Sequence, residues 1–206
     1  MALYRDRILP HLIHWTMRQD SFGEYRQRVV SAAEGRVLEI GIGSGLNLPF
    51  YSGRASHVIG VDPSPTLLSR AAHTPSTLRS VTFVEGSAET IPLADASVDT
   101  VVTTWTLCSI SDIAAALDEI RRVLRASGIL LFVEHGRAPD PVIQRWQDRL
   151  TPLWSRLAGG CHLNRPVDRL LVQAGFQIER LTTSYMQGPR LMTFMYEGCA
   201  RRRTGP

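Results

Sequence analysis

Arg36-Val-Leu-Glu-Ile-Gly-Ile-Gly-Ser-Gly45 is the stretch from which the rest of the chain is read. A short apolar run ends in glycines at 41, 43 and 45, with an acid, Glu39, two residues before the first. The run reads as a strand, and the glycines let the chain turn steeply while leaving its backbone bare to a ligand. A helix opening after such a turn offers free N–H groups to that ligand. A dinucleotide site of this type needs its third glycine at position 46, which is Leu46.

Outward from this stretch the pattern repeats. Val58–Asp62, Val81–Glu85, Val98–Thr103 and Gly128–Glu134 are further apolar runs, and helical patterns lie between them. The clearest is 111–125, where Ile113, Leu117, Ile120 and Leu124 share a face and Ser111 or Asp112 stands at the cap. Alternating strand and helix predicts an α/β fold with a parallel sheet and right-handed crossovers. Phe176–Thr183 and Leu191–Tyr196 add two strands joined by a turn too short for a crossover, so that pair must be antiparallel. The expected fold is Rossmann-like: seven strands, mostly parallel, with one antiparallel strand near an edge. Residues 1–35 show Leu9, Leu12, Ile13 and Met17 at helical spacing and a second helix through Tyr25. They read as an N-terminal helical lid on a single domain whose body is 36–206.

Composition narrows the chemistry. All 23 basic side chains of the 206 residues are Arg. Without Lys there is no Schiff-base chemistry, no lysine base and no P-loop. Residues 36–134 carry a net charge of −3 and residues 135–206 a net +6, and Arg201, Arg202 and Arg203 read as a solvated basic tail. No basic stripe with interleaved aromatics points to nucleic acid. Cys108, Cys161 and Cys199 are widely spaced, which argues for a reducing, cytoplasmic setting rather than a disulfide framework. No CxxC pair is present, and Cys161 with His162 lacks a visible third and fourth ligand, so no metal is expected. No apolar run spans a bilayer, and the N-terminus, with Asp6 and Pro10, does not read as a signal peptide.

The order of these motifs resembles the class I S-adenosylmethionine (SAM) methyltransferases. Their first motif is an acid followed by GxGxG, and their second is an acid after the next strand, here Asp62 before Pro63. The resemblance implies SAM as cofactor, released as S-adenosylhomocysteine. It places the methionine part of SAM against Gly41, Gly43 and Gly45, with Glu39 ordering the loop or the SAM amino group and Asp62 on the ribose. Gly86-Ser87-Ala88-Glu89 corresponds to a family Gly-Asp-Ala that takes the adenine; Ser87 replaces the Asp, leaving backbone groups and Glu89. Thr104 and Trp105, after the fourth strand, complete the expected cofactor set. Trp105 either lines that pocket or packs in the core.

Thr106-Leu-Cys-Ser109, Glu134-His135, Trp146-Gln147, Gly160-Cys-His-Leu-Asn-Arg165 and Ala174-Gly-Phe176 resemble a subgroup of small class I enzymes. It includes mammalian microsomal alkyl thiol methyltransferases and bacterial relatives that act on phospholipids or quinones. The implied acceptor is a small molecule, a thiol first. A thiol needs only mild help to ionise, and His135, Arg165 and His162 are the residue types that supply it. Phospholipid headgroup N-methylation, quinone C-methylation and non-catalytic nucleotide binding are the alternatives, and peripheral contact with a membrane is compatible with the first two. Cys108 is expected to be a buried, apolar-like side chain, and the Cys161–His162 loop either covers the acceptor pocket or packs as a turn.

Overall fold

The computed structural model describes residues 9–203; residues 1–8 of the expected lid, and residues 204–206, lie outside the described residues. Two helices come first, α1 (Leu9–Met17) and α2 (Asp20–Val30). The body then runs β1 (Gly35–Ile40), β2 (Ala55–Asp62), α3 (Pro65–Ala71), β3 (Val81–Glu85), β4 (Val98–Thr104), α4 (Ile113–Val123), β5 (Leu124–His135), α5 (Pro141–Leu157), α6 (Val167–Gln173), β6 (Phe176–Tyr185) and β7 (Phe194–Arg202).

The sheet has seven strands in the order β3-β2-β1-β4-β5-β7-β6. β1 to β5 pair in parallel, and β7 runs antiparallel to both β5 and β6. The central strands are apolar on both faces because helices cover both. Alternate residues divide between two cores: Leu38, Val101, Leu130 and Phe132 meet α4 and α6, while Val37, Val102, Leu131 and Val133 meet Val29 and Val30 of α2. Each such fully buried side chain stabilises the fold by about 1.5–3 kcal/mol before entropy is counted. Helix starts are set by short polar side chains: Ser64 accepts from Leu67 N–H, Asp112 from Ala115 N–H, and Asp140 from Val142 N–H.

Two expectations shift. The last strand begins at Phe194, not Leu191. A turn in which Met192 N–H and Thr193 Oγ1 donate to Pro189 C=O occupies the earlier residues. The strand then runs on to Arg202, so Arg201 and Arg202 are strand residues rather than a solvated tail. Arg201 pairs with Glu179 at 2.9 Å and Arg202 donates to Leu124 C=O at 2.9 Å. Period-2 alternation through Gly198-Cys-Ala200 carries that continuation. In α1, Leu9 is buried but Leu12 and Ile13 are exposed, so the helix does not seat its whole apolar stripe on the body. No helix among the described residues is long and apolar enough to cross a membrane.

Strand order reverses between β1 and β4, and in open sheets of this kind ligands bind beyond the carboxyl ends of the strands at that point. The glycine turn, Asp62, the 86–89 turn, the 104–109 turn and His135 all leave the sheet at that edge.

Candidate active site

The three glycines serve different ends. All have left-handed φ, at +68° for Gly41, +56° for Gly43 and +78° for Gly45. A Cβ on Gly41 would run into the Thr106 side chain, and one on Gly45 would meet Leu48 Cδ1 at 2.9 Å and Ala71 Cα at 3.1 Å. Gly43 is different, since its nearest neighbour would be Gly41 O at 3.9 Å. Two glycines therefore allow close packing of the turn on its neighbours. The middle one presents bare backbone to open space, which is the cradle a cofactor without pyrophosphate can use.

Asp62 closes that cradle. Its Oδ2 accepts from Gly43 N–H at 2.9 Å and its Oδ1 from Ser64 N–H at 2.8 Å, so each oxygen keeps a further lone pair. Burial raises its pKa, and the two N–H groups work against that rise. Pro63 is exposed beside it.

Glu39 is fully buried and faces the protein. Its carboxylate accepts from Asn47 Nδ2 at 2.8 Å and Tyr51 OH at 2.7 Å. Asn47 also donates to Thr104 Oγ1 at 2.9 Å, and its own carbonyl accepts from Arg26 Nε at 3.0 Å. Arg26, buried in α2, lies 5.2 Å from the Trp105 ring, which Phe22 meets edge-on at 4.9 Å. Of the two sequence readings of Glu39, loop ordering is the one its hydrogen bonds describe. Arg26, Asn47 and Tyr51 were missed. Arg26 left a signal: it occupies an apolar position in the series Phe22, Tyr25, Val29, Val30 of α2, where a charge needs a buried partner.

Trp105 has φ +50°, unusual for a residue with a side chain, and its indole N–H is buried without a partner among the described residues. Its ring packs against Phe22, Tyr25 and Arg26 of α2 and the core beneath them, the second of its two sequence readings. At the 86–89 turn, Ser87 hydrogen-bonds the Glu89 carboxylate, whose other oxygen accepts from Asp112 N–H at 3.0 Å. Ala88 is packed in the core. Glu89 therefore links this turn to the start of α4 instead of standing free in solvent.

The β4 and β5 ends hold a second group. His135 Nε2 lies 3.1 Å from Cys161 Sγ, and Trp154 Nε1 donates to the same sulfur at 3.4 Å. Cys108 is buried beside them, as its sequence position suggested. The neighbouring Cys108 thiol, and after it His135, hold the Cys161 thiol well below its usual pKa against the opposing effect of burial. Burial pushes His135 down, but the Cys161 sulfur and Glu134 outweigh it and leave the imidazole raised. Glu134 itself is wholly buried and accepts from Thr106 N–H at 3.1 Å.

The three acceptor-side candidates are close but not equivalent. The Arg165 guanidinium donates to the carbonyls of Leu107 and Ile110, and lies 3.4 Å from His162 Nδ1. His162 donates its backbone N–H to Cys108 C=O at 2.8 Å. Both fasten the 107–110 turn, and His135 is the candidate whose ring meets the sulfur group. The sequence paired Cys161 with its neighbour His162; the fold pairs it with His135, 26 residues earlier.

Burial also sets a pH dependence. Glu39 and Glu134 are each pushed up to about 7 by desolvation. Both are raised above their unfolded values, so their stabilising contribution is complete below about pH 4.5 and is lost as pH rises through about 7. The melting temperature is expected to fall between about pH 5 and pH 8, and Glu39→Gln should flatten that fall. A melting temperature that rises across this window would contradict the burial of these carboxyls.

Comparison with known proteins agrees with this geometry. Residues 38–132 match the family model described as a methyltransferase domain. A thiol S-methyltransferase of Rattus norvegicus is 32% identical over 164 residues, covering 77% of this chain and 67% of that protein. The chain thus spans about two thirds of that relative's length. A phosphatidylethanolamine N-methyltransferase of Cereibacter sphaeroides is 33% identical over 191 residues, covering 88% of this chain and 92% of the relative. Among solved structures, a SAM-dependent methyltransferase of Thermotoga maritima superposes with a TM-score of 0.71 at 22% identity, covering 98% and 99% of the two chains. With the sheet order, the glycine turn and Asp62 already in place, the chain belongs to the class I SAM-dependent methyltransferases.

Proposed function

We propose that this enzyme methylates the sulfur of a small thiol. The observation that carries the reading is the soft, desolvated group at the β4 and β5 ends, where His135 and Trp154 converge on Cys161 Sγ. An imidazole that the neighbouring sulfur holds towards its charged form favours a thiolate acceptor. The thiol S-methyltransferase among the relatives supports the same choice.

Bound SAM supplies an electrophilic sulfonium methyl. The chain's own residues do the rest. Gly43 offers its uncovered backbone, Asp62 offers two lone pairs to the ribose hydroxyls, and Ala88 and Glu89 border the adenine end. Glu39, through Asn47 and Thr104, keeps the glycine turn and the β4 end in register. Arg165 and His162 position the turn that carries Cys108, and His135 favours the ionised acceptor. α1 and α2 act as the lid: His14 Nδ1 lies 2.6 Å from Ser44 Oγ of the glycine turn, and Arg26 and Phe22 sit against Trp105. Covering the site removes water from a reaction in which charge is neutralised.

A second reading, methylation of a phospholipid headgroup, is favoured by one surface. Trp146, Leu153 and Leu157 of α5 are exposed, as are Leu12, Ile13 and Trp15 of α1. Gly159, at the end of α5, approaches Leu9 and Ile13, so the two helices adjoin. Arg149 lies over the Trp146 ring at 5.6 Å. An apolar face edged with arginines suits an anionic membrane surface.

Incubation with methyl-labelled SAM and a panel of small aliphatic thiols, phosphatidylethanolamine vesicles and a demethylated quinone separates these readings. Label is expected in the thioether. Label in the lipid alone would establish the second reading, and label in no thiol would refute the first.

A further inference from the structure

Cys108, His135 and Cys161 come from three separate parts of the chain: the turn after β4, the last residue of β5 and the loop after α5. Their ligating atoms all lie within 4.8 Å of one another. In a tetrahedral zinc site, sulfur lies about 2.3 Å and imidazole nitrogen about 2.0–2.1 Å from the metal, so ligand atoms stand roughly 3.6–3.8 Å apart. The cluster needs only small side-chain rotations to reach that spacing.

We propose that these three residues form a site for a soft divalent cation, zinc first, with its fourth position open to a thiolate. Two thiolates and an imidazole are the ligand types that select such ions over magnesium or calcium. Trp154 strengthens the case, because an indole N–H only donates and its contact with Cys161 Sγ requires that sulfur to act as acceptor. Three ligands without a fourth are the mark of a site that takes an exogenous ligand rather than one that only braces the fold. Among the described residues the cluster contains no fourth His, Cys, Asp or Glu. The group sits at the sheet edge where β4 and β5 end, beside Trp105, whose carbonyl is 3.6 Å from Cys108 Sγ. It therefore shares the sheet edge from which the glycine turn and Asp62 leave.

The charges also balance. A divalent ion and two thiolates sum to zero, and a thiolate in the fourth position adds one negative charge. Arg165, the neighbouring cation, offsets that charge against the nearby Glu134. The acceptor thiol gives its proton to solvent on binding, so it is held as thiolate near neutral pH, where a free thiol is mostly protonated. Assigning that fourth ligand to the methyl acceptor rests on the thiol reading above; the cation site itself does not.

The test uses the whole chain, stripped with a chelator and titrated with Zn²⁺ or Co²⁺. One equivalent is expected to bind, and bound Co²⁺ should show an intense sulfur-to-metal charge-transfer band. Adding a small aliphatic thiol should change that band. Cys161→Ser and His135→Gln should each weaken Zn²⁺ binding by at least about 100-fold, while circular dichroism shows the metal-free variants folded. Absence of stoichiometric binding, equal affinity in the folded variants, or a cobalt spectrum indifferent to thiol would overturn the proposal. Full thiol methylation by the metal-free enzyme would overturn the assignment of the fourth position to the acceptor while leaving thiol methylation intact. Metal and thiol binding without any methylated thiol would keep the site and remove that reading.

Discussion

Replacing Asp62 by Ala is expected to weaken SAM binding by at least about 100-fold. Two hydrogen bonds from ribose hydroxyls to a carboxylate are worth about 1.5–3 kcal/mol each, and about 1.4 kcal/mol is tenfold in affinity. The loss has a second part. Asp62 also holds Gly43 N–H and Ser64 N–H, so the glycine turn loosens when the carboxylate goes. Asp62→Asn should retain more affinity than Asp62→Ala, because its carbonyl oxygen still accepts one bond. Calorimetric titration with SAM measures both. A folded Asp62→Ala chain with unchanged affinity would contradict the assignment of the ribose to this residue.

Glu39→Ala should be the most destabilising of the site substitutions, costing about 3–5 kcal/mol in urea unfolding at pH 8. At that pH the carboxyl is mostly ionised, since burial brings its pKa only to about 7. Its removal strands Tyr51 OH, one donor of Asn47 and the charge of Arg26, all within the buried network. Burial already pulls the Arg26 pKa down to about 10, with Glu39 opposing that fall, so this cation depends on its acidic neighbour. Glu39→Gln keeps the shape and one acceptor and should cost less. A loss under about 1 kcal/mol for Glu39→Ala would mean that the network carries little of the stability.

What could be read in the sequence was local. The glycine turn, a cap at one of the two residues named for it, Asp112, and the strands depend on residues a few positions apart, and all are present, though β5 starts earlier and β7 later than their patterns indicated. Asp62 could be read for the same reason, since it ends a strand and precedes Pro63. The interior partnerships were hidden because they join distant segments. Glu39 meets Tyr51 and, through Asn47, Arg26 from a different helix. Nothing in the spacing of Cys108, His135 and Cys161 announces that β4, β5 and the loop after α5 deliver them to one point. The positive charge of the last third misled in another way. Much of it braces the chain: Arg137 pairs with Asp148 at 2.8 Å, Arg201 with Glu179, and Arg165 with carbonyls of its own fold. Net charge counts these groups as free when they are already paired, Arg137 and Arg201 at the surface and Arg165 beneath it.

The cofactor cradle and the sulfur and imidazole group leave the sheet at one edge, and a crystal structure with S-adenosylhomocysteine bound tests their connection directly. The ribose hydroxyls are predicted on Asp62, with the homocysteine sulfur directed past the Thr104–Ser109 turn toward His135 and Cys161. A ribose bound away from Asp62, or a sulfur turned away from the β4 and β5 ends, would contradict it.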